Sequence, residues 1–420
     1  MIHSILIILW WQLRIRSMGK PKKILFIGHE ASLSGAPILL LNIINVLKND
    51  PEIEMKIVLK RGGILLNDYK KKAPTVQIKS DGYRKHKNTF YNLADIIFSR
   101  CNFLKAAWWC FKADVIFNNT ITNGRLLHQL QIFKKPVITY VHELREVAKI
   151  FEEKKDTGFT IRCTDFFCCP SATVSSFLTE VYNVPESKKI IFPYYFPFSQ
   201  YIHSVTEQNK ASLKKQYAEK YSISPNTIWI VNLGKISTRK GYDIFIDIGE
   251  KCSQQQPGKF SFIWIGGAEN STIEKELEAN NLKFLENNIH FIGILPHSYD
   301  SLLPFDIFLL SSREDPYPLV VLEAAFQKVP SICFQDAGGI KEFIGEDAGW
   351  VMPDFSEKNL NRKLNELSFN PSSIIKKGMI AQEKVLSLHG DKKKVFDLFH
   401  QILKRASIHF DAMDFHSFKI

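Results

Sequence analysis

The chain has 420 residues, 45% hydrophobic and 23% charged, too long for one ordinary domain and apolar enough for two well-buried cores. Its formal charge is +12, and residues 1–100 hold 17 Lys and Arg against 7 Asp and Glu; no nucleic-acid motif accompanies that bias. An anionic membrane surface is the preferred reading of it, an ordinary solvated face the alternative, while seven cysteines without a C-x-x-C pair argue against disulfides or zinc and for a reducing cytoplasm.

Residues 1–17 contain an apolar run from Ile5 to Trp11 followed by Arg14 and Arg16. The run is far short of the ~20 residues that span a bilayer, and its charges stand on the wrong side for a signal peptide. It reads as a short interfacial segment or as the product of an upstream start codon. The second is preferred, because Met18-Gly19-Lys20-Pro21-Lys22-Lys23 looks like a natural beginning. Residues 24–28 predict a strand, and a small-residue loop then reaches Gly35, which opens a helix ending near Lys48. A glycine there lets a phosphate or sugar approach the backbone, although any Rossmann-like domain carries such a loop and the pattern is not GxGxxG.

Strands are expected at 55–59 and 75–78, and basic residues crowd around the second, Lys70, Lys71, Lys72, Lys79, Arg84, Lys85 and Lys87. A helix over 92–111 is expected to pack both Trp108 and Trp109 inward. Strands at 114–118 and 136–141 end in Asn118-Asn119-Thr120 and His142-Glu143, polar residues at two strand ends that suggest one rim of a site. Further strands fall within 164–171, where Cys168 and Cys169 read as core, and at 189–193. The segment Pro193-Tyr194-Tyr195-Phe196-Pro197 cannot be a regular helix and leads to a linker.

A second alternation starts with a strand at 228–233 and a glycine-bracketed loop, Gly234 to Gly241, containing Arg239 and Lys240. Two adjacent cations there can neutralise a diphosphate; the alternative is a basic surface turn. Strands follow at 260–265, 289–293 and 306–310. After the last come Glu314, Asp315, Pro316 and Pro318, a helix over 319–326 and another strand at 331–334. Pro318 suits the first helical position, where its missing N–H is not needed. The free N–H groups of Leu319 and Val320 would favour a phosphate, and Glu323 falls about a turn and a half from Pro318, near the face turned to the loop. The loop stands at the carboxyl end of a strand, where open α/β sheets bind ligands; a solvated acid and an ordinary helix-face Glu are the alternative. Helices at 359–367, 373–386 and 392–404 close the chain.

Seven residues separate Asp315 from Glu323, within the string Pro-Leu-Val-Val-Leu-Glu-Ala, and Asp336-Ala337-Gly338-Gly339-Ile340-Lys341-Glu342-Phe343-Ile344 follows. This combination resembles the donor-site motif of the family 4 retaining glycosyltransferases, and the likeness runs from about residue 24 to about residue 403. It implies a GT-B fold: two Rossmann-like doubly wound domains facing a cleft, with the last helix crossing back to the first. The corresponding divisions are an extension over 1–17, an acceptor-side domain over 18–200, a nucleotide-sugar domain over 201–390, and a returning helix and tail over 391–420.

The implied activity is retaining, metal-independent hexosyl transfer from a nucleotide-diphosphate sugar to a saccharide or lipid-linked saccharide in surface-polysaccharide synthesis, without a resident cofactor. It implies that His142 contacts the donor sugar, that the Gly35 loop faces the donor diphosphate, and that Lys240 binds the donor phosphates. Backbone at Ile294 and Leu295 would hold the base, and Glu323 the ribose. Many members have Arg where Lys235 stands here, so Arg239 is expected to take that duty. The family usually has Glu where this chain has Asp315, which leaves open whether Asp315 or Glu314 reaches the sugar. Leaving-group charge would fall to Lys240, Arg239 and helix amides. Two other readings stay open: an epimerase or phosphorylase on the same fold, or an inactive nucleotide-sugar-binding subunit. The expected location is the cytoplasm, in weak contact with the inner membrane face.

Overall fold

The structure is a computed structural model and describes residues 21–79, 89–198, 202, 205–295 and 301–417. The expectations for 1–17, Met18, Arg84, Lys85 and Lys87 lie outside the described residues. The chain forms two compact units. One gathers the chain up to Cys169, Leu178–Phe192 and the segment from Lys392 onward; the other holds Pro170–Phe177 and Pro193–Asp391.

In the first unit β1 (Lys22–Gly28), β2 (Ile53–Leu59), β3 (Thr75–Gln77), β4 (Val115–Asn118), β5 (Val137–Tyr140), β6 (Phe166–Cys169) and β7 (Lys189–Ile191) form one sheet. Its order is β3-β2-β1-β4-β5-β6-β7, and every neighbouring pair is parallel. Helices cover both faces of such a sheet, so its strands read as continuous apolar runs: residues 24–27 are all buried, as are Cys168 and Cys169 in β6. Strand order reverses between β1 and β4. Ile27 stands opposite Asn118, and Asn118 opposite Thr139, so β1, β4 and β5 end level with one another. The Lys392–Ser417 helix joins this unit through a buried stripe, Val395, Phe399, Ile402 and Ala406, spaced as one helix face. The Phe399 ring lies 5.4 Å from Phe117 and 6.2 Å from Phe26. Its full burial is worth roughly 1.5–3 kcal/mol.

The second unit repeats the plan with β8 (Ile228–Leu233), β9 (Phe260–Ile265), β10 (Ile289–Phe291), β11 (Ile307–Leu309), β12 (Ser331–Phe334) and β13 (Gly349–Met352). The sheet is again parallel, in the order β10-β9-β8-β11-β12-β13, and reverses between β8 and β11. Phe245 fixes the core, edge-on to Phe262 at 5.7 Å and to Trp264 at 5.1 Å.

Two expectations need correcting, and one strand was not foreseen. Trp109 is buried at 8% exposure, but Trp108 is 58% exposed on the Thr89–Lys112 helix. Consecutive helical residues point roughly 100° apart, so the two indoles cannot both face the sheet. Pro318 takes the N-cap position, with extended backbone (ψ 124°), and Leu319 is the first helical residue. The short strand β13, with its Gly349-Trp350 start, has no counterpart among the expected elements.

Candidate active site

In the first unit, the loops after β1, β4 and β5 meet through Asn119. Its side-chain amide donates to the Ala36 carbonyl at 2.8 Å, one residue into the helix that Gly35 begins, while its Oδ1 lies 2.9 Å from His142 Nε2. With the amide nitrogen committed to a carbonyl, Oδ1 can only accept, so Nε2 of His142 carries the proton. The imidazole packs on Tyr140 with ring centroids 4.3 Å apart. Burial, helped by His29, pushes the His142 pKa down to about 3, although part of the residue stays open to solvent. The ring is therefore neutral through the physiological range.

Glu143, the next residue, is buried and accepts from the Thr120 hydroxyl, from Ile121 N–H at 3.2 Å and from His142 N–H at 3.0 Å. Burial raises its pKa against the pull of those hydrogen bonds. Asn118, Asn119 and Thr120 are all fully buried, so the polar rim read from the two strand ends is a connected network. The pair at the end of β1 was not anticipated as part of it. His29 Nε2 lies 3.6 Å from Glu30, and that contact, with help from Ser32, lowers the Glu30 pKa to about 2 against the effect of burial. His29 Nδ1 is buried with no partner among the described residues. Adjacent acid and imidazole at a strand end was the available signal.

In the second unit, the loops after β8 and β11 hold the charged residues. Lys240 and Asp315 form a close ion pair whose side chains are only 15% and 10% exposed. Arg239 donates to the Glu314 carbonyl at 2.7 Å, the Arg313 backbone N–H donates to the Arg239 carbonyl at 2.9 Å, and the Arg313 guanidinium donates to both oxygens of Asp243 at 2.7 and 2.5 Å. That fork holds the Asp243 pKa below the usual carboxylate range, with burial opposing. Buried Asn232 in β8 donates to Ser311, which donates to the Lys240 carbonyl at 3.0 Å, so the end of one strand fixes the loop of the other. Gly241 has φ +70°, and a Cβ there would stand 2.0 Å from the Ser311 carbonyl oxygen. The residue after the lysine must therefore be glycine.

The loop after β12 clamps Asp315 from the other side. Asp315 N–H donates to Ala337 at 2.7 Å, and Gly339 N–H donates to Pro316 at 2.9 Å. Gly338, at φ +143°, leaves no room for a side chain, because a Cβ would lie 1.8 Å from the Asp315 carbonyl oxygen. Of the two acids, Asp315 is buried and its carboxylate is turned to Lys240, while Glu314 is half-buried. The Leu319–Phe326 helix starts just beyond, with no side-chain cap over Leu319 and Val320, and half-buried Glu323 stands about one turn inside it. Lys235 is drawn away, 3.6 Å from Glu269 in an exposed pair, whereas Arg239 stays beside the acids. Ile294 is 81% exposed, with Leu295 beside it.

Residues 214–382, inside this unit, match the family model Glycosyl transferases group 1. The second unit carries a glycosyl transferases group 1 domain. The chain is 30% identical over 114 residues to mannosylfructose-phosphate synthase of Agrobacterium fabrum, and 33% identical over 113 residues to alpha-galactosylglucosyldiacylglycerol synthase of Streptococcus pneumoniae. Those stretches are 24% and 26% of this chain, and 24% and 29% of the relatives' own lengths. Among solved structures, Anabaena HepE in complex with UDP-glucose superposes over 91% of this chain and 99% of its own, with a TM-score of 0.73 at 16% identity. That likeness is one of fold: two Rossmann-like parallel-sheet units, as in GT-B glycosyltransferases.

Proposed function

We propose that the protein transfers a glycosyl group from a nucleoside-diphosphate sugar to an acceptor hydroxyl, with retention at the anomeric carbon and without a metal ion. The observation that carries this reading is the Lys240–Asp315 pair at the reversal of strand order in the second sheet, just ahead of the uncapped helix at Leu319. An ammonium, the Arg239 guanidinium and free helix N–H groups make a phosphate site, and growing negative charge on a leaving diphosphate is what such groups stabilise. Asp315 holds the lysine in place while no phosphate is bound. Glu323 suits the ribose hydroxyls, Glu314 or Asp315 the hexose, and backbone at Ile294 and Leu295 the base. In the first unit, the neutral His142 ring suits contact with a sugar hydroxyl and the Gly35 loop contact with a phosphate.

In the step itself, the bond from the anomeric carbon to the diphosphate oxygen breaks, and the acceptor oxygen bonds to that carbon from the same face. The acceptor proton passes to the departing phosphate oxygen, so no protein nucleophile is needed. A UDP-sugar is the favoured donor, since HepE holds UDP-glucose. A saccharide or lipid-linked saccharide is the favoured acceptor, in keeping with the glycolipid named for the pneumococcal relative.

The test is release of nucleoside diphosphate from a panel of UDP- and GDP-sugars, with and without acceptor saccharides, and the anomeric configuration of the product by NMR. Acceptor-dependent release with retention supports the reading. Turnover without any acceptor alcohol points instead to an epimerase or phosphorylase, and donor binding without turnover to an inactive subunit.

A further inference from the structure

The Thr89–Lys112 helix of the first unit turns one face away from its sheet, and that face is apolar. Ile97, Cys101, Leu104, Trp108 and Phe111 recur at helical spacing, and all are exposed, Leu104 at 68%, Trp108 at 58% and Phe111 at 51%. The opposite face, with Ala106, Trp109 and Cys110, is buried in the core, so the helix is fully packed on one side and bare on the other. The Gln131–Phe133 turn extends the bare side. Phe133 lies 6.1 Å from Phe111, and Ile132 next to it is 76% exposed. A patch built from two elements and centred on aromatic rings is larger than scattered exposed leucines would give.

Its rim is mostly basic. Lys105, Lys112 and Lys134 are exposed around it, with Asp95 and Asp114 just beyond its ends and Glu54 on the Lys112 side. The Lys112 ammonium lies over the Trp108 ring at 4.8 Å and over the Phe111 ring at 5.4 Å, its stem along the aromatic surface and its charge at the edge. Tryptophan at the boundary, lysine stems covering rings and an excess of cations at the edge make up the composition of an element lying in the interface of a bilayer.

We propose that this face docks the protein on the surface of an anionic lipid bilayer, with Leu104, Trp108 and Phe111 entering the headgroup boundary and the lysines pairing with lipid phosphates. The inference does not rest on the transfer reaction, and it gives a specific site to the membrane contact that the charge bias of residues 1–100 suggests. Charge decides against the other occupants: a second copy would bring the same lysines against this rim, and the apolar run before Arg14 and Arg16 is itself flanked by cations. No helix among the described residues is long and apolar enough to cross a membrane, so the contact is superficial.

Cys101 lies on the face and is exposed, whereas the other six cysteines are buried, so a thiol-reactive, environment-sensitive fluorophore reports from this place alone. The labelled full chain is mixed with vesicles of phosphatidylcholine, or of phosphatidylcholine with phosphatidylglycerol, and flotation of unlabelled protein gives the affinity. The expected result is a blue shift and flotation with the anionic vesicles, weaker at high salt, and the same for a chain beginning at Met18. The double variant Leu104→Ser/Trp108→Ser should bind about tenfold or more weakly, from lost apolar burial, at an unchanged unfolding temperature. Equal flotation of the variant and the parent would overturn the proposal, as would absence of binding to either vesicle. So would loss of binding in the chain from Met18, which would assign docking to residues 1–17. Self-association that the double variant abolishes would make the face an interface between copies and likewise overturn it.

Discussion

At the ends of β4 and β5 the first unit holds Asn119, a neutral His142 and a carboxyl group, Glu143, pushed toward its protonated form. At the ends of β8 and β11 the second holds Lys240, Arg239, Asp315 and Arg313, tied by ion pairs and charge-assisted hydrogen bonds. Both places flank the reversal of strand order in a parallel sheet, where the helices diverge and leave a crevice. The topology supplies the crevice, and the side chains decide its chemistry. A buried network around a neutral imidazole orders hydrogen bonders for hydroxyl groups. A cluster of paired ions is preset for a ligand that carries charge.

Breaking the ionic cluster should have the largest effect. Asp315→Ala leaves the mostly buried Lys240 ammonium without its partner and should cost up to about 3–5 kcal/mol of stability. A nucleoside diphosphate would then supply the missing charge, so UDP or GDP should raise the variant's unfolding temperature more than that of the parent. Equal shifts in the two proteins would separate Lys240 from the phosphate. Next in size, Glu323→Gln should weaken nucleoside diphosphate binding by ~1.5–3 kcal/mol, read by calorimetry, with the fold intact. Gly338→Ala tests the clamp on the acid loop. The positive φ and the collision with the Asp315 carbonyl should cost about 1–3 kcal/mol in denaturant unfolding, and a neutral result would show the loop to be free to shift.

The His142 network gives a smaller, pH-dependent signature. His142 binds its proton in the unfolded chain below the ordinary value of 6.5 and in the folded protein only near 3. Its contribution therefore raises stability with pH across that window and is lost as pH falls from 6.5 toward 3. His142→Gln should flatten the dependence there and leave stability near pH 8 little changed. A difference profile that is flat throughout would mean the imidazole is not held neutral.

Much of this comparison was legible beforehand. Strands such as Ile228–Leu233 and Phe260–Ile265 announce themselves because a strand buried on both faces is apolar almost throughout, and glycines and prolines mark where they stop. The parts of the ionic cluster were legible separately, since two prolines keep Asp315 in a loop beside a strand end and two glycines bracket Arg239 and Lys240, but their pairing was not. The His142 network was only half visible. The polar strand ends were plain, but that Asn119 joins His142 to the Gly35 helix depends on the level register of β1, β4 and β5, which no local pattern encodes. The roles of Gly338 and Gly339 likewise come from contact with a loop more than twenty residues earlier. Trp108 was misjudged because hydrophobicity identifies what can be buried, and a helix has only one face to bury.

The central claim is that Lys240 acts on charge that develops on a departing diphosphate. It is tested most directly by steady-state kinetics of Lys240→Ala with a donor sugar-nucleotide and an acceptor, following diphosphate release. The account predicts a fall in kcat of about 10²–10³, the range for losing one preorganised group at a developing charge, with a smaller change in the donor KM. A raised KM at unchanged kcat would contradict it, for the lysine would then hold the ground-state donor and the transition state equally well.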